Sequence, residues 1–127
     1  MSAVTTHILD TVRGEPATGV LVRLERVEVG PTTEAGLPRA DGPAAEIGRA
    51  RTDADGRIAD LGPAQLRAGT YRLVFETAPY LRTVHPGEGG PAFFPEVVVT
   101  FAADGTRAHY HVPLLLSPYS YSTYRGS

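Results

Sequence analysis

The chain has 127 residues, no cysteine, 42% hydrophobic residues and a formal net charge of −2. Its length suits one domain, residues 1–127, and its missing cysteines exclude disulfides and thiolate metal sites and fit a reducing compartment. Scattered basic residues give no nucleic-acid footprint, and no run reaches the ~18 apolar residues of a membrane helix. The start Ser2-Ala3-Val4-Thr5-Thr6-His7 carries neither the basic flank nor the apolar stretch of a signal peptide, so a cytoplasmic protein is expected.

Gly and Pro, 14 and 11 in number, fall between short β-rich runs, which predicts an all-β sandwich or barrel. Thr5 to Leu9 reads as a first strand and Arg13 to Gly19 as a loop. Val20 to Val27 alternates, with Val20, Val22 and Leu24 on one face and Arg23 and Glu25 on the other. Gly30 to Gly48, rich in Pro, Gly and Ala, reads as a long exposed loop; without an aromatic or a histidine it is expected to be mobile. Asp55-Gly56 predicts a type I′ hairpin turn between a strand near Arg49 to Thr52 and one from Arg57 to Leu61. Tyr71 to Glu76 is a strand, Ala78 to Val84 a short helix, and Glu96 to Phe101 a buried strand. Asp104-Gly105 turns into Ala108 to Leu116, Ser117-Pro118 breaks that strand, and Ser120 to Tyr124 forms the last. About eight strands and at most one helix result.

The candidate chemistry lies in the histidines and the tail. His109 and His111 share one face of their strand, while Tyr110, Val112, Leu114 and Leu116 form its apolar face, so His111 points away from the core. His7 is likewise out of phase with Thr6 and Ile8. Each histidine alone reads more readily as a surface or interface residue. No helical H-x-x-x-H spacing supports zinc, G-x-S-x-G is absent, and Asp53-Ala54-Asp55-Gly56 lacks the remaining ligands of a calcium loop. Ser117 to Ser127 carries three tyrosines and an arginine, a composition better suited to a pocket or interface than to a frayed end.

The stretch His109-Tyr110-His111-Val112-Pro113-Leu114-Leu115-Leu116-Ser117-Pro118-Tyr119-Ser120-Tyr121-Ser122-Thr123-Tyr124-Arg125-Gly126-Ser127 closely resembles the C-terminal signature of the 5-hydroxyisourate hydrolases, the transthyretin-related enzymes of urate breakdown. Thr6-His7-Ile8-Leu9-Asp10 with Gly14-x-Pro16-Ala17, Thr52 to Arg57, and Phe94-Pro95-Glu96-Val97 resemble further motifs of that family. The resemblance implies a transthyretin-like sandwich of two four-stranded sheets with one short helix. It implies a homotetramer whose sites lie between dimers, with no metal or organic cofactor. It places catalytic roles on His7, Arg57 and His111 and substrate contacts on His7, Arg57 and Tyr124, leaving His109 outside the site. The loop from Gly30 to Gly48 is longer than the family pattern. The implied activity is opening of a cyclic amide by water, which needs a base near neutral pH, a role suited to histidine. Two rivals stand beside it. A carrier of an apolar hormone would want aliphatic side chains where these polar ones stand. An interaction module would show no turnover.

Overall fold

The computed structural model describes residues 2–28, 43–87 and 92–127. Among them nine strands and one helix build a two-sheet sandwich. The first sheet contains β1 (Val4–Asp10), β2 (Glu15–Pro16), β5 (Arg57–Leu61), β8 (Tyr110–Ser117) and β9 (Ser120–Thr123). Its path is β2-β1-β8-β9, with β5 also paired to β1. The second sheet runs β4-β3-β6-β7, from β3 (Leu21–Val27), β4 (Ala44–Arg51), β6 (Gly69–Glu76) and β7 (Val97–Ala103). The helix α1 (Thr77–Val84) follows β6. Among the described residues no helix is long and apolar enough to cross a membrane.

The alternation read in the sequence sets the core. Val4 and Ile8 of β1, Val22 and Leu24 of β3, Leu73 and Phe75 of β6, and Leu114 and Leu116 of β8 are at most 1% exposed. Each such side chain contributes roughly 1.5–3 kcal/mol on leaving water. Most pairings are antiparallel, but β1 and β8 run parallel from Val4↔Tyr110 to Asp10↔Leu116. This parallel pair, the one among the described strands, lays Val4–Asp10 along Tyr110–Leu116.

Four expectations change. Residues 44–48 were expected in the long loop, yet they belong to β4, which pairs with β3 from Leu21↔Arg51 to Val27↔Ala44. Backbone pairing holds this segment despite its exposed, alanine-rich sequence, a tertiary override of weak strand propensity. Residues 30–42 of that loop lie outside the described residues, and so does its expected mobility. Asp55-Gly56 does not close a hairpin either: β4 belongs to the second sheet and β5 to the first. Among the described residues only glycines take positive φ, so Asp55 cannot fill a type I′ position. Thr52 fixes the crossing, because its Oγ1 donates to the Ala17 carbonyl at 2.7 Å and accepts the Val20 N–H at 3.0 Å. The short β2 pairs with β1 inside the stretch that the sequence predicts as loop, and β7, predicted buried, alternates instead, with Val97 buried and Val98 39% exposed.

Asp10 ends β1 at 1% exposure and still finds its partners. Its carboxylate takes the Tyr80 hydroxyl and His85 Nε2, each at 2.7 Å, and the N–H groups of Val12 and Arg13. Burial alone would raise this carboxyl, but the hydrogen bonds from Tyr80, His85 and Arg13 hold it below its ordinary value. Burial and the Asp10 contact push Tyr80 up to about 12. The cluster ties α1 to β1 and occupies the fourth histidine, His85, in a structural role.

Candidate active site

The alternation of β1 sends Val4, Thr6, Ile8 and Asp10 inward and Thr5, His7 and Leu9 to the outer face of the first sheet. On one side of β1, His7 stands opposite Arg57 of β5. On the other, Thr5 stands opposite His111 of β8. Directly opposed residues share a face, so His7, Arg57 and His111 come together on the outside of this sheet.

Arg57 is placed by the turn before it. The Asp53 carboxylate accepts the N–H groups of Asp55 at 2.9 Å and Arg57 at 3.0 Å, and the Gly56 N–H donates to the Asp53 carbonyl at 2.9 Å. The Arg57 N–H bond is the main reason the Asp53 carboxyl lies below its usual range. Gly56 has φ +73°, and a Cβ there would lie 2.5 Å from the Ile8 carbonyl oxygen. Only glycine lets the turn press onto β1 this closely, where the Ile8 N–H donates to the Gly56 carbonyl at 2.8 Å.

His111 is held from two sides. The Thr5 Oγ1 lies 2.7 Å from His111 Nδ1 and 2.8 Å from His109 Nε2. The rings of His109 and His111 stack at 6.2 Å between centroids. From the tail, the Gly126 N–H donates to the His111 carbonyl at 2.8 Å. A Cβ on Gly126 would lie 2.6 Å from His111 Cδ2, so the tail rests on the imidazole only because residue 126 has no side chain. Thr123 anchors the same segment by donating to the Pro113 carbonyl at 2.7 Å. Burial first, then the guanidinium charge of Arg57 and the proximity of the His109 and His7 rings, hold His111 below the ordinary imidazole value. Both effects favour the neutral imidazole, the form able to accept a proton.

These residues surround an open cleft of about 230 Å³ lined by Thr5, Arg57, Ala59, His109, His111 and Ser127 among others. His7 flanks it, half-buried and opposite Arg57. Tyr124 is not brought into this cleft. It is 57% exposed and lines a separate groove with Phe101, Arg107 and Tyr110. His109, set aside on resemblance, does line the cleft. Thr5 and Ser127 were not singled out individually. Thr5 shares the face of His7, a signal visible in the two-residue spacing, but its contact with both histidines depends on the parallel pairing. Among the described residues no three His, Cys, Asp or Glu side chains gather as a metal site.

A two-sheet sandwich with one short helix and a cleft of histidine and arginine on one sheet face is a transthyretin-type domain bearing a polar site. The chain belongs to the HIUase/Transthyretin family, whose profile matches residues 4–126. It is 41% identical over 128 residues to the 5-hydroxyisourate hydrolase of Caulobacter vibrioides, covering 100% of both chains. It is 44% identical to that of Deinococcus radiodurans, covering 97% of this chain and 94% of the relative. Among solved structures it resembles Klebsiella pneumoniae 5-hydroxyisourate hydrolase at TM-score 0.75 and 35% identity, with 100% of both chains covered. It also resembles transthyretin from Sparus aurata at TM-score 0.77 and 32% identity, covering 99% and 97%.

Proposed function

We propose that this chain is a hydrolase that opens 5-hydroxyisourate with water to give 2-oxo-4-hydroxy-4-carboxy-5-ureidoimidazoline, a step of urate degradation. The observation that supports this most directly is the common face of His7, Arg57 and His111, fixed by the pairs His7↔Arg57 and Thr5↔His111. The transthyretin likeness makes a carrier the natural alternative, but a cleft lined by histidine, arginine, threonine and serine suits a polar heterocycle rather than an apolar hormone.

His111, neutral and half-buried, takes a proton from water as its oxygen adds to the ring carbonyl. Arg57 offers a planar fork of donors to the oxygen that becomes negative. His7, beside Arg57, orients the substrate. The C–N bond then breaks, the ring nitrogen receives a proton, and a carboxylate is left. No cofactor enters this scheme. The protein acts as a cytoplasmic homotetramer in this reading, with the face bearing the cleft turned toward another dimer. Among the described residues β7 and β9 each end a sheet path, and such edges can pair between copies, which supports assembly. Tyr124, exposed on the tail, serves as a further substrate contact in that assembly.

The test is direct. Protein added to freshly made 5-hydroxyisourate accelerates the loss of its ultraviolet absorbance, and His111→Asn lowers that rate by roughly 10²-fold or more. No acceleration over buffer would end the hydrolase reading, and thyroxine binding measured alongside would then favour the carrier.

A further inference from the structure

General base catalysis by His111 raises a difficulty of charge. Accepting a proton from water would make an imidazolium in a half-buried cleft beside Arg57, where burial and the guanidinium charge disfavour it. Its companion His109 is the more exposed of the two rings, so a positive charge there is better solvated. One hydroxyl stands between them, with Thr5 Oγ1 within 2.8 Å of a ring nitrogen on each side. Both distances are those of strong hydrogen bonds.

We infer that Thr5 and His109 form, with His111, a proton relay that parks the proton taken from water on the exposed His109 while the tetrahedral intermediate exists. The relay rests on the reading of the cleft as the hydrolytic site. A hydroxyl has one proton to donate. With His111 Nδ1–H donating to Thr5 Oγ1 and the Thr5 hydroxyl donating to His109 Nε2, His111 Nε2 keeps a free lone pair. As the water oxygen bonds to the acyl carbon, one water proton moves to His111 Nε2. The Nδ1 proton passes to Thr5, and the Thr5 proton passes to His109 Nε2. The oxyanion then sits near Arg57 and the imidazolium at His109. When the C–N bond breaks, the leaving nitrogen takes the His111 Nε2 proton and the shift runs backward, restoring every tautomer. The second water proton stays with the new carboxylic acid and is lost to solvent on ionisation. No electrons change hands, and His111 never carries the charge alone.

The test uses the full chain and 5-hydroxyisourate. His109→Ala and Thr5→Val should each lower kcat by roughly 10²-fold, the lower end of the acid–base range, with KM unchanged as befits an interaction made in the transition state. Thr5→Ser keeps the hydroxyl and should keep most of the rate. Imidazole added to the buffer should restore turnover to His109→Ala but not to Thr5→Val. His109 is exposed, so its truncation leaves the fold intact. A His109→Ala protein as fast as wild type, or a Thr5→Ser protein as slow as Thr5→Val, would overturn the relay while leaving the hydrolase reading standing. Absence of turnover in the wild type would overturn both.

Discussion

On the outer face of the second sheet, arginines and glutamates answer one another. Arg23 meets Glu76 at 2.5 Å and lies 3.7 Å from Glu25; Arg72 lies 3.8 Å from Glu25; Arg49 takes Glu46 with two hydrogen bonds. The outer face of the first sheet is built differently. Arg57, His7, His109 and His111 gather there, and among the described residues Arg57 enters no ion pair. Asp53 acts on Arg57 and His7 through its charge while its carboxylate takes the backbone N–H groups of Asp55 and Arg57, and Asp10 of β1 points inward and is consumed by Tyr80, His85 and two backbone N–H groups. A face whose charges cancel is a solvated surface. A face whose arginine makes no direct ion pair among the described residues, in a cleft, keeps its guanidinium donors for negative charge that arrives with a substrate or develops in a reaction.

The sharpest way to break that contrast is to remove the cover of the first face. Deleting residues 124–127 takes away the Gly126 bond to His111 and the Ser127 wall, and should lower turnover by at least about 10²-fold while the melting temperature moves little. A truncated protein of normal activity would make the tail a mark of ancestry alone. Arg57→Ala should cost about 10²–10³ in kcat, the usual loss for one donor to a developing oxyanion. The same substitution has a second signature. Arg57 disfavours the His111 imidazolium, so the wild-type acid limb of kcat/KM lies below the ordinary 6.5. Removing that charge raises the His111 value, and the limb should move to higher pH. A limb that stays in place would take Arg57 out of electrostatic contact with the base.

Gly126→Ala is a finer probe. Its Cβ would meet His111 Cδ2 at 2.6 Å, so the tail or the ring must shift. Overpacking of this kind costs roughly 1–3 kcal/mol, and turnover should fall by about tenfold or more while Arg125→Ala, one residue away, has a smaller effect. The smallest change belongs to the other sheet. Arg49→Ala breaks an exposed, solvent-screened pair and should leave the melting temperature and turnover almost unchanged. A loss of activity there would mean that the paired face also takes part in function.

Much of the architecture is legible because the period of two is a local property. The burial of Val4 and Ile8 in β1, of Val22 and Leu24 in β3, and of Leu114 and Leu116 in β8 follows from alternation within each strand. Where the alternation is weak, the reading failed. The alanines of β4 carry no pattern, and only pairing with β3 makes them a strand. Asp55-Gly56 showed a turn but not that the chain changes sheets there, since the partner of β5 is decided by Thr52 and Gly56 fitting against segments far away in sequence.

The site divides the same way. The sequence by itself determined that His7 and His111 face away from the core, that Arg57 follows a tight turn, and that the tail is no random end. Its resemblance to the 5-hydroxyisourate hydrolases named their roles. Only the tertiary structure decided which of these groups touch. The parallel register of β1 on β8 places Thr5 between His109 and His111, and the bare Cα of Gly126 lets the tail lie on the imidazole. The Thr5 contacts join residues more than a hundred positions apart, the tail contact crosses a strand and a turn, and no local periodicity encodes either.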